Sequence, residues 1–137
     1  MMSEENKIKI IGYRSIIFYA IFFFFLGYFL SSWYRPYVYS NGINDYGLAD
    51  IGNNISFVPG LYFLLRLFRQ KFMLGVIYDI ILIAITLILI ELTSAFVDGI
   101  GTFDYRDIIG LITGAGITFG IMKNKKIILE TDYKQRN

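Results

Sequence analysis

The sequence predicts an all-α fold, a four-helix transmembrane bundle with both termini in the cytoplasm, formed by a single domain over residues 1–137. Three observations predict it: four long apolar segments, a shortage of charge, and a one-sided distribution of the basic residues. Hydrophobic residues make up 55% of the chain, aromatics 18% and charged residues only 18%. Soluble chains are roughly a quarter charged. A mean hydropathy of +0.54 agrees with lipid, not water, as the main solvent.

The first segment, Ile16 to Trp33, carries no charge in 18 residues and predicts a helix over about 13–33. A membrane span needs roughly 17–25 apolar residues. A cleaved signal peptide would have a shorter apolar core and a small-residue cleavage site. Here "SSWYRPY" follows, so a retained helix is expected. The second segment, centred on "ISFVPGLYFLLRLF", predicts a helix over 51–68. Pro59 is tolerated near a helix start, and Arg66 can reach toward the nearby end. The competing reading is a helix lying at the interface without crossing. The third, 72–91, holds one charge in its apolar run, Asp79, which Arg66, Arg69 or Arg14 could neutralise in an ion pair. The fourth, 107–123, lies between Asp107 and the Lys123–Lys126 cluster.

Four crossings place eleven of the thirteen Lys and Arg residues on the side of the termini, leaving Arg35 and Arg106 on the other. Basic residues concentrate on the cytoplasmic side of membrane proteins. If the second segment did not cross, the lysine cluster would be inverted to the outside. Trp33, Tyr34, Tyr37 and Tyr39 follow the first segment as an interfacial aromatic belt should, within an outer loop expected over 34–54.

The absence of Cys and His excludes disulfides, thiol nucleophiles, Cys/His zinc sites and imidazole acid–base chemistry. A net charge of +2 gives no footprint for nucleic acid. No cofactor is expected, and no residue stands out as catalytic. The expected partners are the lipid bilayer and a partner membrane protein or lipid-linked ligand.

The acids collect on the outer side. Glu91, Asp98, Asp104 and Asp107, with Arg35 and Arg106, form a candidate polar cluster there, joined by Asp45 and Asp50. Asp104 and Asp107 have an ordinary role available as an N-terminal cap and a first-turn acid. Glu91 ends the apolar run "LIAITLILI", and a carboxylate at membrane depth marks a site when it has a partner. Arg35 and Arg106 could tie loops together or hold a polar head group. Asp104 and Asp107, three apart, could share a divalent cation. The fourth segment is rich in glycine: Gly110/Gly114 and Gly116/Gly120 repeat the small-xxx-small spacing that lets membrane helices approach closely. These four glycines, with Thr113 and Thr118, are expected to form one packing face on a central helix, with Leu111, Ile112 and Phe119 turned away. They lie in an apolar helix with no strand before it, so they do not form a phosphate loop.

The stretch "ELTSAFVDGIGTFDYRDIIGLITGAG" resembles the signature of the VanZ-like family of small bacterial membrane proteins. Glu91, the Phe103-Asp104 pair, Asp107 and Gly114 match its conserved pattern. Ser94, Gly101 or Thr102, and Leu111 stand where the family has Gln, Arg and Asn. The resemblance implies a multi-pass envelope protein linked to glycopeptide-antibiotic (teicoplanin) resistance, and puts in doubt any activity carried by those three positions. It leaves three functional classes open. The first is a non-enzymatic accessory protein binding a lipid, a cell-wall precursor or a partner. The second is an enzyme acting on a lipid-linked substrate through a carboxylate-bound cation. The third is a small helper subunit of a larger complex.

Overall fold

A computed structural model of the chain describes residues 9–68, 75–96, 104–123 and 125–127. The fold is helical. Strand β1 (Lys9–Ile11) leads into helix α1 (Tyr13–Phe29), which continues without a break through a wide π turn (Leu30–Tyr34) into α2 (Arg35–Ser40). Then come α3 (Leu48–Phe68), α4 (Val76–Ser94), α5 (Tyr105–Met122) and strand β2 (Lys125–Ile127). The two strands pair in parallel, Lys9 opposite Lys125 and Ile11 opposite Ile127, so the segment before α1 meets the segment after α5 at one end of the bundle. This pairing is a small departure from the all-helical expectation. Each of its strands contributes only three residues, too few for periodicity to reveal.

Several helix boundaries lie outward of those the hydropathy predicts, but α4 starts at Val76, after the expected 72, behind Gly75 at φ 102°. The first helical run extends to Ser40, beyond 33, and turns much of the expected outer loop into helix. Pro36 explains the π turn. A proline cannot donate to the carbonyl four residues back, and its ring crowds that carbonyl. The chain answers with a wider turn in which the Arg35 N–H reaches the Leu30 carbonyl, five residues back, and the helix resumes. The remaining turn is short. Tyr46 and Gly47 both adopt left-handed backbone angles, φ 57° and 88°. The Asp45 carboxylate accepts from the Gly47 and Ala49 N–H groups, the latter at 2.6 Å, and so starts α3 at Leu48, ahead of 51. Helix α4 continues past 91 to Ser94, and α5 starts at Tyr105, ahead of 107.

Helix α3, the weakest of the four in hydropathy, is the centre of the bundle. It packs against α1 on one side and α5 on the other, while α4 packs mainly on α5. Val58, Tyr62 and Phe63 are fully buried within it. Small residues set both interfaces. Toward α1, Gly27 lies against Ser56, Gly52 against Leu30 and Gly60 against the Phe24 ring. Toward α5, a Cβ on Gly110 would lie 2.9 Å from the Ile51 carbonyl oxygen, and one on Gly114 would lie 2.5 Å from that of Ile55. Pro59 sits well inside α3, not near its start, and has no N–H to give the Ile55 carbonyl. The bare Cα of Gly114 lets α5 close on that oxygen, where any side chain would collide.

The packing face of α5 differs from the one expected. Gly110, Leu111, Gly114, Thr118 and Met122 are buried, whereas Gly116 and Gly120 are exposed with nothing within 4 Å of an added Cβ. At 100° per residue, Gly116 and Gly120 point about 200° and 240° away from Gly114. The two glycine pairs therefore mark opposite faces, and Leu111 lies beside the buried one.

Buried polar groups are paired. The Thr118 hydroxyl donates to the Gly114 carbonyl at 2.8 Å, and that of Ser56 to Asn53 at 2.9 Å. Asp79, 2% exposed, accepts from Arg66 at 3.0 Å, one of the three bases the sequence offers, of which Arg69 lies outside the described residues. Arg66 also donates to the Tyr62 hydroxyl at 3.2 Å and stacks on that ring.

Among the described residues, two helical stretches, Tyr13–Ser40 and Val76–Ser94, are long and apolar enough to cross a membrane, with mean hydropathies of 1.9 and 2.4. Both turn large apolar residues outward: Phe18, Ile21 and Phe25 on α1, and Ile81, Leu82 and Leu89 on α4.

Four variants test this packing, read as thermal unfolding of detergent-purified protein. Gly114→Ala forces a Cβ into backbone and is expected to cost about 1–3 kcal/mol. Gly116→Ala meets open space and is expected to be neutral or to gain up to about 1 kcal/mol in helix propensity. Arg66→Met leaves Asp79 charged and buried, an expected loss of about 3–5 kcal/mol. The double variant Arg66→Met/Asp79→Asn should recover most of that loss.

Candidate functional site

At the end of the bundle opposite the paired strands, all four long helical stretches contribute to one polar pocket of about 210 Å³. Ser31 and Arg35 come from the first helical run, and Ala49, Asp50, Asn53 and Asn54 from α3. Glu91 comes from α4 and Asp107 from α5. The spacing 50, 53, 54 puts three polar side chains on one face of α3. The close approach of α5 at Gly110 brings Asp107 onto that face, where the Asn54 amide donates to it at 2.6 Å.

Asp50 is the hub beside the pocket. It accepts from Arg106 of α5 at 2.8 Å and lies 3.6 Å from Arg35 of α2. It also accepts from the Tyr39 hydroxyl, and the Arg35 guanidinium stacks over the Tyr39 ring. One carboxylate thus ties together the starts of α3 and α5 and the end of the first helical run. Asp50 stands one residue before the second expected segment, 51–68, and five before its apolar run begins at Ile55. The Tyr39 hydroxyl, followed by the two arginines, holds its carboxyl below the ordinary range, against an opposing effect of burial.

Three members of the sequence-predicted cluster, Glu91, Asp107 and Arg35, line the pocket together. Arg106 serves it indirectly, through Asp50. Asp104 does not line it: its carboxylate accepts from the Arg106 N–H at 2.9 Å and caps α5, the ordinary role the sequence offered. Asp98 lies outside the described residues, as do Gly101, Thr102 and Phe103. Ser94 donates to the Glu91 carbonyl at 2.6 Å, and Leu111 is buried in the core. Sequence reasoning missed Asp50 as the hub and overlooked Ser31, Asn53 and Asn54. The signal was present in α3, whose polar residues share a helical face in an otherwise apolar stretch.

The pocket combines two carboxylates from different helices with two amides and one guanidinium. Glu91 has no basic partner among the described residues. Carboxylates accept, amides both donate and accept, and the guanidinium donates. Such a lining suits a ligand rich in hydroxyl or amine donors. Among the described residues, no group of three or more acids is arranged to hold a metal ion.

The Asp50 clasp has a pH signature. A carboxyl whose pKa falls on folding adds stability above its unfolded value and loses it as the pH drops through the folded value. Thermal stability is therefore expected to fall as the pH goes below about 4. Asp50→Asn should be less stable than wild type at pH 7 and lack that part of the acid loss. The chain matches no family model, and no curated protein or solved structure is significantly similar to it.

Proposed function

We propose that this chain is a four-pass membrane protein of VanZ-like type, with both termini in the bacterial cytoplasm. In this reading it is a non-enzymatic envelope protein whose outer-end pocket binds the polar head of a lipid or lipid-linked cell-wall precursor. Two kinds of observation support the membrane part. Large apolar side chains cover the outward faces of α1 and α4, where water would demand polar ones. The paired strands bring the segment before α1 and the segment after α5 together at one end of the bundle. That end is the one the Lys and Arg distribution assigns to the cytoplasm.

The binding part rests on one observation, the convergence of Glu91, Asp107, Asn53, Asn54 and Arg35 from separate helices on a single cavity. A structural tie alone would be complete with Asp50 and its two arginines. Glu91 adds nothing to that tie, and it brings a second carboxylate beside Asp107. The two side chains share a hydrogen bond with each other, and a ligand rich in donors would reach both. The VanZ-like resemblance carries the same two residues, and through it comes the proposed link to glycopeptide resistance.

A second reading, a helper subunit of a larger membrane complex, draws on the open face of α5. Gly116 and Gly120 lie one turn apart and outward, free for a partner helix.

Gentle purification from native membranes, with mass analysis of co-purifying lipid and protein, separates these readings. A hydrogen bond to a charged group contributes about 1.5–3 kcal/mol, so Glu91→Gln or Asp107→Asn should each weaken retention of a polar lipid about tenfold or more. Protein levels in the membrane should stay unchanged, and Gly116→Leu should retain the lipid. If Gly116→Leu instead removes a co-purifying protein while the carboxylate variants change nothing, the helper reading replaces the first.

A further inference from the structure

Two carboxyl groups in the polar pocket share a proton. Glu91 of α4 and Asp107 of α5 are hydrogen-bonded to each other. An ionised carboxylate only accepts, so that bond needs a proton on one of the two. Their surroundings are acidic. Asp104 acts on both carboxyls from the start of α5, and Asp50 of α3 lines the same pocket. The described bases near them are Arg35 and Arg106, and Arg106 is bonded to Asp50 at 2.8 Å. Asn54 of α3 donates to Asp107 at 2.6 Å, and the Asp104 N–H donates to Glu91. The wall has a further acceptor in Ser31. In the π turn the donor to the Ser31 carbonyl would come from residue 36, and Pro36 has no N–H to give.

We propose that this pocket takes the primary ammonium of a phosphoethanolamine head in exchange for the proton that Glu91 and Asp107 share, an inference that rests on the head-group reading above. The ammonium enters charged and donates to both carboxylates, which then stand ionised. The displaced proton leaves to solvent, and no bond to carbon changes. The excess of acids over bases around the pair favours a cation there. The lining selects which kind. A primary ammonium brings several N–H donors, suited to the carboxylates and the Ser31 carbonyl. A quaternary ammonium has none and is held by aromatic faces. None of the described lining residues is aromatic, and the nearby Tyr39 ring is covered by the Arg35 guanidinium. Arg35 accounts for the phosphate. Its side chain is 51% exposed and lies 3.6 Å from Asp50, too far for a hydrogen bond. Its N–H donors thus suit a phosphate at the mouth of the pocket, the pairing a guanidinium makes best. Glu91 and Asp107 are half-buried and Arg35 is exposed, which matches the order of charge along phosphoethanolamine.

The test is calorimetric titration of the full chain in maltoside micelles with short-chain phosphatidylethanolamine, run in two buffers of unlike ionisation enthalpy. The difference in heat between the buffers counts the protons released, and about one per lipid is expected. Phosphatidylcholine of the same chain length lacks the N–H donors and should bind about tenfold more weakly. Glu91→Gln still donates to Asp107 and so keeps the fold, but it has no proton to exchange. Its binding should weaken about tenfold and its buffer dependence disappear. Free phosphoethanolamine separates two sources of the same chemistry. Weaker binding than the lipid assigns the site to a lipid head, equal binding to a soluble phosphoamine, and either supports the ammonium. Equal binding of phosphatidylethanolamine and phosphatidylcholine, or binding with no proton released, would overturn the proposal and leave the head-group reading standing. Binding of neither would also overturn it, and the head-group reading falls too if purification from native membranes yields no lipid.

Discussion

The contact between the glycines of α5 and the backbone of α3 is the constraint on which the rest of this molecule depends. Gly110 and Gly114 let α5 come within a bare Cα of the Ile51 and Ile55 carbonyls. Pro59 leaves the second of those carbonyls without its helical donor, so the glycine meets an oxygen that needs a neighbour. Only at this separation can Asn54 of α3 reach Asp107 and Arg106 of α5 reach Asp50. In lipid, where apolar burial gives helices little reason to associate, close van der Waals packing and such polar ties hold a bundle together. The α1 side repeats the device with Gly27, Gly52 and Gly60, and α3 is gripped on both faces.

The ends of the bundle are chemically unlike, and this organises function. One end has the paired strands and the buried Arg66–Asp79 pair, which is satisfied internally and needs no ligand. The other has a pocket in which the carboxylates of Glu91 and Asp107 converge, with Asp50 next to them already claimed by two arginines and a tyrosine. The Asp50 clasp explains the architecture of that end. Glu91 stands outside that clasp, hydrogen-bonded to Asp107.

The helical character of the fold was legible because an apolar run of that length has few alternatives, and the Arg66–Asp79 pair was legible because few bases lie within reach. The boundaries were harder. Pro36 reads as a helix breaker, yet a π turn absorbs it and the helix continues to Ser40. The α5 face was misjudged because two small-residue spacings in one segment look like one motif, although an offset of two residues turns Gly116 about 200° away from Gly114. At the site, Glu91, Asp107 and Arg35 stood out as isolated charges. Asp50, Asn53 and Asn54 did not, because their grouping depends on which face α3 turns to α5. The role of Asp104 as a cap was legible from local sequence alone, since capping needs no tertiary partner.

All of this requires α3 to cross the bilayer fully, the segment whose composition argues for it least. The natural absence of cysteine allows a direct measurement: labelling of single Asn41→Cys and Lys123→Cys variants in intact cells with a membrane-impermeant maleimide. Both positions are exposed in the fold. The account predicts that position 41, in the turn before α3, is labelled from outside, and that position 123, after α5, is labelled only when the membrane is permeabilised. Labelling of position 123 in intact cells would mean that α3 does not cross, which would invert α4 and α5 and contradict the account.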